Sequence, residues 1–417
     1  MDSIHIQGGV ALQGKVRIQG SKNAALPILA ATLLTKETSR IYNCPRIADV
    51  HKMVSLLKSL GCQVKWMEDG IRINAAGVFC GEMPGEAITG MRSSLCLLGA
   101  MLGRCGKVVM EYPGGCVIGE RPIDLHISAL QRMGVTFVEE AGRLHAFTDR
   151  LHGAEITLPF PSVGATENIL LAAVTAEGDT VLTGAAMEPE IVALCEYLEC
   201  CGAEIDGIGT SVLIIRGGRK LYGGDYHVPS DRIVAGTYLL GCIGAGGSVL
   251  LENAPWEQME AVIKVAEQMG AQCTRIREGI YVQAPKRPQG VKHLETAPYP
   301  GFPTDLQSVA LAVLAKAEGE SVIEENIFEN RFRVVLPLIE MGADVTLEGT
   351  RKACVKGVEE LHGASVEAKE LRGGAALVMA GLMADGETVI NGCSYIYRGY
   401  ENICKDLREL GARIVSV

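Results

Sequence analysis

The sequence predicts an α/β protein of two domains, each with helices at its centre and sheets around them. Two observations predict it: the 417 residues repeat one pattern six times, and every repeat holds two different kinds of helix. The composition agrees, with 48% hydrophobic and only 5% aromatic residues and 50 glycines. It excludes a disordered chain, a collagen and a coiled coil.

The repeat consists of an amphipathic helix, a glycine and a strand, and each copy takes about 70 residues. Because glycine adopts a positive φ without a Cβ clash, we expect it to end each helix and turn the chain into the strand. The six glycines are Gly61, Gly134, Gly202, Gly270, Gly342 and Gly411, separated by 73, 68, 68, 72 and 69 residues.

The other helix of each repeat is apolar or small on nearly every side, and such a helix has to be buried on every side. The apolar helices start near Lys22, Arg92, Gly164, Asp231, Thr304 and Leu371. The amphipathic helices carry one apolar stripe and are predicted to lie on a surface. Short β-rich runs such as KVVMEY, DTVLTG and SVLLEN separate the helices and predict strands.

Grouping the repeats in threes gives residues 22–229 as the first domain and residues 1–21 with 230–417 as the second, with an active site expected in the cleft between them. The stretch GGDYHVPSD before Asp231 is the expected crossover. The leading strands HIQGG and KVRIQG are expected to complete the last repeat. A solenoid of six repeats also satisfies the count, and periodicity alone does not separate the two.

The net charge and hydropathy of the chain limit the partners that the sequence predicts. The 39 Lys and Arg against 49 Asp and Glu give a net charge of −10, which argues against nucleic-acid binding. No apolar run approaches about 18 residues and no signal peptide is evident, so a cytoplasmic protein without membrane contact is expected. Most of the 14 cysteines lie in apolar patterns, and neither cysteines nor histidines are paired at ligand spacing, so no metal is expected.

The starts of the apolar helices are the first candidate site. Helix N-termini attract anions and disfavour cations, so cations placed there (Lys22, Arg92 and Arg372) are functional candidates. Asp305, in the motif PTD, is a candidate base for a hydroxyl proton. It is equally typical of a plain N-cap, and its position in the sequence does not decide between the two.

The second candidate is the glycine-rich loop YPGGCVIGERPIDL, which contains Cys116 close to Arg121. A thiol beside cations is a candidate proton donor or nucleophile, although many loop cysteines are inert. Arg121-Pro122 is suited to flank a flat base. Arg331 in ENRF is compatible with a solvated helix start, and Arg398 in YRGYEN lies in a loop before an amphipathic helix.

Taken in order, SKNAALPILAA, MRSS, PGGCVIGERPIDLH, PSVGATEN, PSDRI, FPTDLQ, FENRF and YRGYEN resemble the enolpyruvyl transferase family over essentially the whole chain. The resemblance implies a two-domain inverted α/β barrel with three βαβαββ units per domain. It also implies transfer of the enolpyruvyl group of phosphoenolpyruvate to the 3-hydroxyl of UDP-N-acetylglucosamine with release of phosphate, the first committed step of peptidoglycan synthesis. These two small molecules are the expected partners of a monomer that needs no cofactor.

The resemblance also implies roles for single residues. Lys22, Arg121 and Arg398 would hold phosphoenolpyruvate, with Arg92, Arg331 and Arg372 lining the same basic cleft. Cys116 would protonate the methylene carbon, Asp305 would take or position the proton of the sugar 3-hydroxyl, and Asn23 would contact the sugar. The residues implied for the uridine diphosphate end are Arg121, Pro122, Ile123, Asp124, Leu125, Ser162, Val163, Gly164 and Ile327.

Two other functions are compatible with the same scaffold. One is transfer to shikimate 3-phosphate by the sister enzyme, which is not expected to have the loop thiol. The other is non-catalytic binding of a nucleotide sugar, against which Lys22, Cys116, Asp305 and Arg398 together argue. One departure is Glu370, where the family often has aspartate, and the role of this residue is left in doubt.

Overall fold

The computed structural model describes residues 3–80, 95–111 and 123–417. The described residues form twelve α-helices, which alternate between the apolar and the amphipathic kind. They are α1 Lys22–Ala31, α2 Ala48–Ser59, α3 Leu97–Cys105, α4 Asp124–Arg132, α5 Val163–Ala173, α6 Pro189–Cys200, α7 Arg232–Ala245, α8 Glu260–Gln268, α9 Gln307–Leu314, α10 Val335–Glu340, α11 Leu371–Met383 and α12 Ile403–Glu409.

The strands are short, as expected for a chain that turns often. They are β1 Ile4–Gln7, β2 Leu12–Arg17, β3 Thr38–Tyr42, β4 Gln63–Trp66, β5 Gly70–Asn74, β6 Lys107–Glu111, β7 Thr136–Glu140, β8 Arg143–Phe147, β9 Glu155–Thr157, β10 Asp179–Thr183, β11 Glu204–Asp206, β12 Val212–Arg216, β13 Asp225–His227, β14 Gly247–Glu252, β15 Gln272–Ile276, β16 Gly279–Gln283, β17 Leu294–Glu295, β18 Glu320–Glu324, β19 Asp344–Glu348, β20 Lys352–Lys356, β21 Ser365–Glu367, β22 Glu387–Asn391 and β23 Arg413–Ser416.

These strands form five sheets of four strands and one of three, within the described residues. The four-stranded sheets share one design, in which a parallel pair continues into two antiparallel pairs, as in the order β11-β12-β10-β9. The parallel pair needs a crossover helix, whereas the antiparallel pairs need only turns. The predicted succession of strand, helix, strand, helix and two strands is therefore confirmed in the run from β9 to β12.

The two N-terminal strands, β1 and β2, pair in different sheets. β1 pairs with β22 and β23, so it completes the last repeat as predicted. The same prediction for β2 was wrong, because β2 pairs in parallel with β14. The strand before α7, β13, pairs with β3 instead of β14, and β2 takes the position beside β14 that β13 leaves open.

Helix burial follows the two sequence patterns. In α11 every residue from Leu371 to Met383 is buried, and in α7 burial extends from Arg232 to Gly244. The amphipathic α8 buries Val262, Ile263, Val265 and Ala266 and leaves its charges outside. A helix that is apolar on every side can be buried on every side, because few polar side chains lose contact with water. The predicted α/β fold with buried helices is confirmed.

All six repeat glycines follow a helix and have φ between 88° and 98°. At Gly61 the amide donates to Lys58 O, and the next amide, of Cys62, reaches back to Leu57 O. These two bonds satisfy carbonyls at the helix end in the Schellman arrangement. The prediction that glycine ends each amphipathic helix is confirmed.

Two compact units contain the described chain. One, unit A, holds the described residues up to Gln19 together with Ser230–Val417, and the other, unit B, holds those from Gly20 to Pro229. Each has its own apolar core, built around α7, α9 and α11 in unit A and around α1, α3 and α5 in unit B. No helix among the described residues has the length and hydropathy needed to cross a bilayer.

The cysteines pack mostly as predicted. Cys96, Cys195, Cys242 and Cys404 are buried, and burial raises the pKa of Cys195 and of Cys242 to about 12. The sequence did not predict that Cys80 and Cys105 would form a disulfide, with their Cα atoms 5.3 Å apart. Nothing in their spacing of 25 residues indicates it.

Candidate active site

Asp305 lies in the 3-10 turn Thr304–Leu306 that leads into α9. One carboxylate oxygen accepts a hydrogen bond from Arg331 and the other accepts one from Arg372, the latter at 2.7 Å from Nη2. The side chain of Asp305 is 24% exposed, whereas those of Arg331 and Arg372 are 2% and 5% exposed. The two guanidinium groups therefore hold a partly exposed carboxylate from within unit A.

This geometry revises two interpretations of the sequence. Arg331 is buried, so it is not part of a solvated helix start. Asp305 directs both oxygens to arginines, which gives it more than the role of a plain N-cap. A carboxylate held by two guanidinium groups has a fixed orientation.

Glu370 provides the N-cap of α11. Its two oxygens accept hydrogen bonds from the amides of Arg372, at 2.7 Å, and Gly373. One of them also lies 3.8 Å from Arg331 Nη1. The side chain of Glu370 thus caps the helix that carries Arg372 and faces Arg331 as well.

Arg372 carries a charge that burial opposes. The carboxylate of Asp305, with Tyr400 and Asp231, more than offsets burial and raises the pKa of Arg372 above its usual value. Asp231 itself caps α7 through the amides of Ile233 and Val234, at 2.8 and 3.1 Å. The two buried arginines are therefore balanced by carboxylates in the same unit.

Arg398 ends the 3-10 helix Cys393–Arg398, which packs against α11. Two residues on, Tyr400 is fully buried, and its hydroxyl lies 2.8 Å from that of Thr237. Because Tyr400 also interacts with Arg372, the segment after Arg398 is tied to the Asp305 cluster.

Unit B places Lys22 at the first position of α1. Its ammonium lies 2.8 Å from Asp49, in the first turn of α2. The side chains are 12% and 1% exposed, so this is a largely buried ion pair. A cation at a helix start is disfavoured by the helix dipole, and Asp49 compensates for that cost. Asn23 follows Lys22 and is partly buried.

A second helix start in unit B belongs to α5. Ser162 is its N-cap and accepts a hydrogen bond from the amide of Ala165 at 3.3 Å, while Val163 packs against the core. A Cβ on Gly164 would lie 3.1 Å from the ring of His126. The absence of a side chain at Gly164 thus lets the start of α5 approach α4 closely.

Asn168 joins three helices of unit B. The fully buried amide accepts from Gly99 N at 2.6 Å and donates to Leu95 O and to His126 Nδ1, at 3.0 and 2.9 Å. It also lies 3.3 Å from Gly164 O. One side chain therefore fixes the starts of α3 and α5 against α4.

The other predicted site residues fall in three places. At the start of α4, Ile123 is buried, Asp124 is exposed and Leu125 is partly buried. In unit A, the amide of Ile327 donates to Glu325 Oε1 at 2.9 Å. The predicted residues Arg92, Cys116, Arg121 and Pro122 lie outside the described residues.

Three carboxylates gather at the starts of α5 and α6. Burial, followed by the charges of Glu190 and Glu188, raises the pKa of Glu167 to about 8. Glu167 retains partial exposure while Glu190 is buried. A carboxyl in this setting holds its proton near neutral pH.

Sequence reasoning missed Asp49, Asn168 and Glu325. Asp49 looks like an ordinary acidic residue in a first helical turn, and Glu325 like the end of a strand. Only the polar amide inside the apolar run GATENILLAA signalled Asn168. Among the described residues, His293, Glu295 and Glu324 also approach within 4.8 Å of one another, but they are mostly exposed and we assign no metal to them.

Comparison with known proteins defines the class. The fold is that of the enolpyruvyl transferases: the enolpyruvyl transferase NikO from Streptomyces tendae superimposes with a TM-score of 0.89, covering 100% of this chain and 99% of that one at 23% identity. EPSP synthase from Acinetobacter baumannii gives 0.77 at 22% identity, with 100% of both chains covered. The chain belongs to the EPSP synthase (3-phosphoshikimate 1-carboxyvinyltransferase) family, whose profile matches residues 6–407.

More similar relatives carry a different name within that family. UDP-N-acetylglucosamine 1-carboxyvinyltransferase 2 of Caldanaerobacter subterraneus subsp. tengcongensis is 45% identical over 417 residues, covering 100% of both chains. UDP-N-acetylglucosamine 1-carboxyvinyltransferase of Nitratidesulfovibrio vulgaris strain DP4 is 45% identical over 416 residues, covering 99% of each. The full length of the chain is therefore similar to that of these transferases.

Proposed function

We propose that the protein transfers the enolpyruvyl group of phosphoenolpyruvate to the 3-hydroxyl of UDP-N-acetylglucosamine and releases phosphate. The observation that carries this proposal is full-length identity of 45% to relatives named for that reaction. The family profile is described by the shikimate reaction instead. Shikimate 3-phosphate is therefore the acceptor against which the proposal is tested.

The reaction needs one acid and one base. The sugar oxygen attacks C2 of phosphoenolpyruvate while a proton goes to C3, and the adduct then loses phosphate and a C3 proton to restore the double bond. The proton of the 3-hydroxyl leaves during the attack. These steps balance without a redox cofactor, and we propose cytoplasmic peptidoglycan-precursor synthesis as their setting.

We assign the hydroxyl to Asp305. Its carboxylate is partly exposed, and its hydrogen bonds from Arg331 and Arg372 fix its orientation. A carboxylate fixed in this way can orient the hydroxyl and receive its proton during the attack.

We assign the phosphoenolpyruvate carboxylate and phosphate to cations, namely Lys22, Arg121 and Arg398 with Arg92, and the acid to Cys116. Arg331 and Arg372 are assigned to holding Asp305, because both guanidinium groups donate to its carboxylate. The uridine diphosphate end is assigned to the starts of α4 and α5 with Ile327. Ser162, Val163 and Gly164 begin α5, where unpaired amides favour an anion.

The test is phosphate release from phosphoenolpyruvate with each acceptor, with mass spectrometry of the product. We expect release with UDP-N-acetylglucosamine, a product heavier by the enolpyruvyl group, and loss of at least about 100-fold in kcat for Asp305→Ala. Asp344→Ala, at an exposed strand position, is the matched control. Release with shikimate 3-phosphate alone would overturn the proposal.

A further inference from the structure

We propose that Glu325 is a positioning residue for the reaction, acting through Thr304 and Arg331 on Asp305, an inference that rests on the proposed function. Glu325 follows strand β18 and its side chain is fully buried. A buried carboxylate is costly unless donors surround it. Its donors all belong to the two segments that carry Asp305 and Arg331.

The first connection runs through a hydroxyl. Thr304 Oγ1 lies 3.0 and 2.9 Å from the two oxygens of Glu325, and Arg331 Nε lies 3.3 Å from the same Oγ1. Because a guanidinium group only donates, Thr304 accepts from Arg331, and its single proton is directed to Glu325. The direction of every hydrogen bond in this relay is therefore determined.

The second connection runs through the backbone. Glu325 Oε1 accepts from the amides of Ile327 and Phe328, both at 2.9 Å, and so closes the turn after β18. The ring of Phe328 lies under the guanidinium of Arg331, with 5.3 Å from Cζ to the ring centroid. Both connections from Glu325 thus converge on Arg331, which holds Asp305.

The backbone of Glu325 is itself fixed. Its amide donates to Arg351 O at 2.8 Å, and Arg351 Nη1 donates to Glu325 O at 3.2 Å. The carboxylate is therefore an anchored acceptor rather than a mobile one. It joins Ile327, assigned to the nucleotide, to Asp305, assigned to the sugar hydroxyl.

Two substitutions weaken or remove the connection through Thr304 while keeping the connection through the backbone amides of Ile327 and Phe328. In Glu325→Gln the amide oxygen still accepts from Ile327 and Phe328, and the NH₂ group replaces the oxygen 2.9 Å from Thr304, so that the hydroxyl proton is left with one neutral oxygen that already accepts from two amides. Thr304→Val removes the same relay while keeping the side-chain shape. Both variants should lower kcat about 10- to 100-fold while KM for the sugar nucleotide changes less than about threefold.

The proposed relay also predicts how kcat compares between further variants. The double variant should lose no more than Glu325→Gln alone, because both changes break one relay. Thr304→Ser, which keeps the hydroxyl, should retain wild-type kcat. Glu324→Gln, the same change one residue earlier, is the matched control. Additive losses, or wild-type kcat in Glu325→Gln and Thr304→Val, would overturn the proposal.

A measurement that does not depend on turnover keeps the proposal separate from the proposed function. Hydrogen exchange at Arg331 Nε should be faster in Thr304→Val, and exchange at the amides of Ile327 and Phe328 should be at least about tenfold faster in Glu325→Ala than in Glu325→Gln. If wild-type enzyme forms no product, the proposed function fails, and unchanged exchange would reject the Glu325 relay on its own.

Discussion

Replacing Glu167 by glutamine should stabilise unit B at alkaline pH and leave it unchanged at acidic pH. Burial, with Glu190 and Glu188 nearby, raises the pKa of Glu167 from 4.5 to about 8 in the folded protein. Between these values the folded state holds a proton that the unfolded chain releases. The free energy of unfolding therefore falls as pH rises from about 4.5 to 8.

The magnitude follows from the two pKa values. Without solvent screening, the difference between the two pKa values corresponds to about 5 kcal/mol of unfolding free energy, since each pKa unit is worth about 1.4 kcal/mol. Glu167 keeps partial contact with solvent, which screens its charge, so we expect about 2 to 3 kcal/mol. For a unit of this size that is roughly 5 to 10 °C in melting temperature.

Thermal melting of wild type and Glu167→Gln from pH 5 to pH 9 tests this reasoning. The variant and wild type should melt together at pH 5, and the variant should melt increasingly above wild type until about pH 8, where the difference levels off. Glu199→Gln, the same change at an exposed position of α6, is the control. A difference that is constant with pH, or that favours wild type at pH 9, would refute the assignment.

Three further predictions concern stability and are measured by urea unfolding. Asp49→Ala leaves Lys22 without its 2.8 Å partner and should cost about 3 kcal/mol of unfolding free energy, as well as raising KM for phosphoenolpyruvate. Gly99→Ala would place a Cβ 2.3 Å from the backbone oxygen of Asn168, so α3 and α5 must separate, at a cost of about 3 kcal/mol. Cys80→Ser opens a covalent loop of 25 residues and should cost about 3 kcal/mol without reductant and nothing with it.

Each of these three stability predictions has a control or an outcome that would contradict it. Asp69→Ala, at an exposed position of unit B, should leave the urea midpoint unchanged, and a similar loss there would remove the argument for Asp49. Full-length protein with Gly99→Ala that unfolds at the wild-type midpoint would show that the two helices do not need their close contact. For Cys80→Ser, thiol counting of the wild type decides directly, since 14 free thiols in the absence of reductant would mean no disulfide.

The repeat and its helices were predictable because they depend on local patterns. A helix that is apolar on every side has to be buried, and a glycine after a helix can take the positive φ that Gly134 and its five counterparts show. The exchange of β2 and β13 between sheets was not predictable, because strand pairing is made by backbone groups and these short strands carry no local signal for their partner.

The candidate site also has a part that the sequence predicts and a part that it does not. The sequence by itself determined which residue types stand at the helix starts, among them Lys22, Asp305 and Arg372, because capping and helix dipoles act within one turn. Only the tertiary structure decided that Asp305 pairs with Arg331 and Arg372, 26 and 67 residues away, and that Glu325 accepts from Thr304, 21 residues away. Charges so far apart in the chain are brought together by the packing of the segments that carry them, and that packing depends on the whole core of the unit.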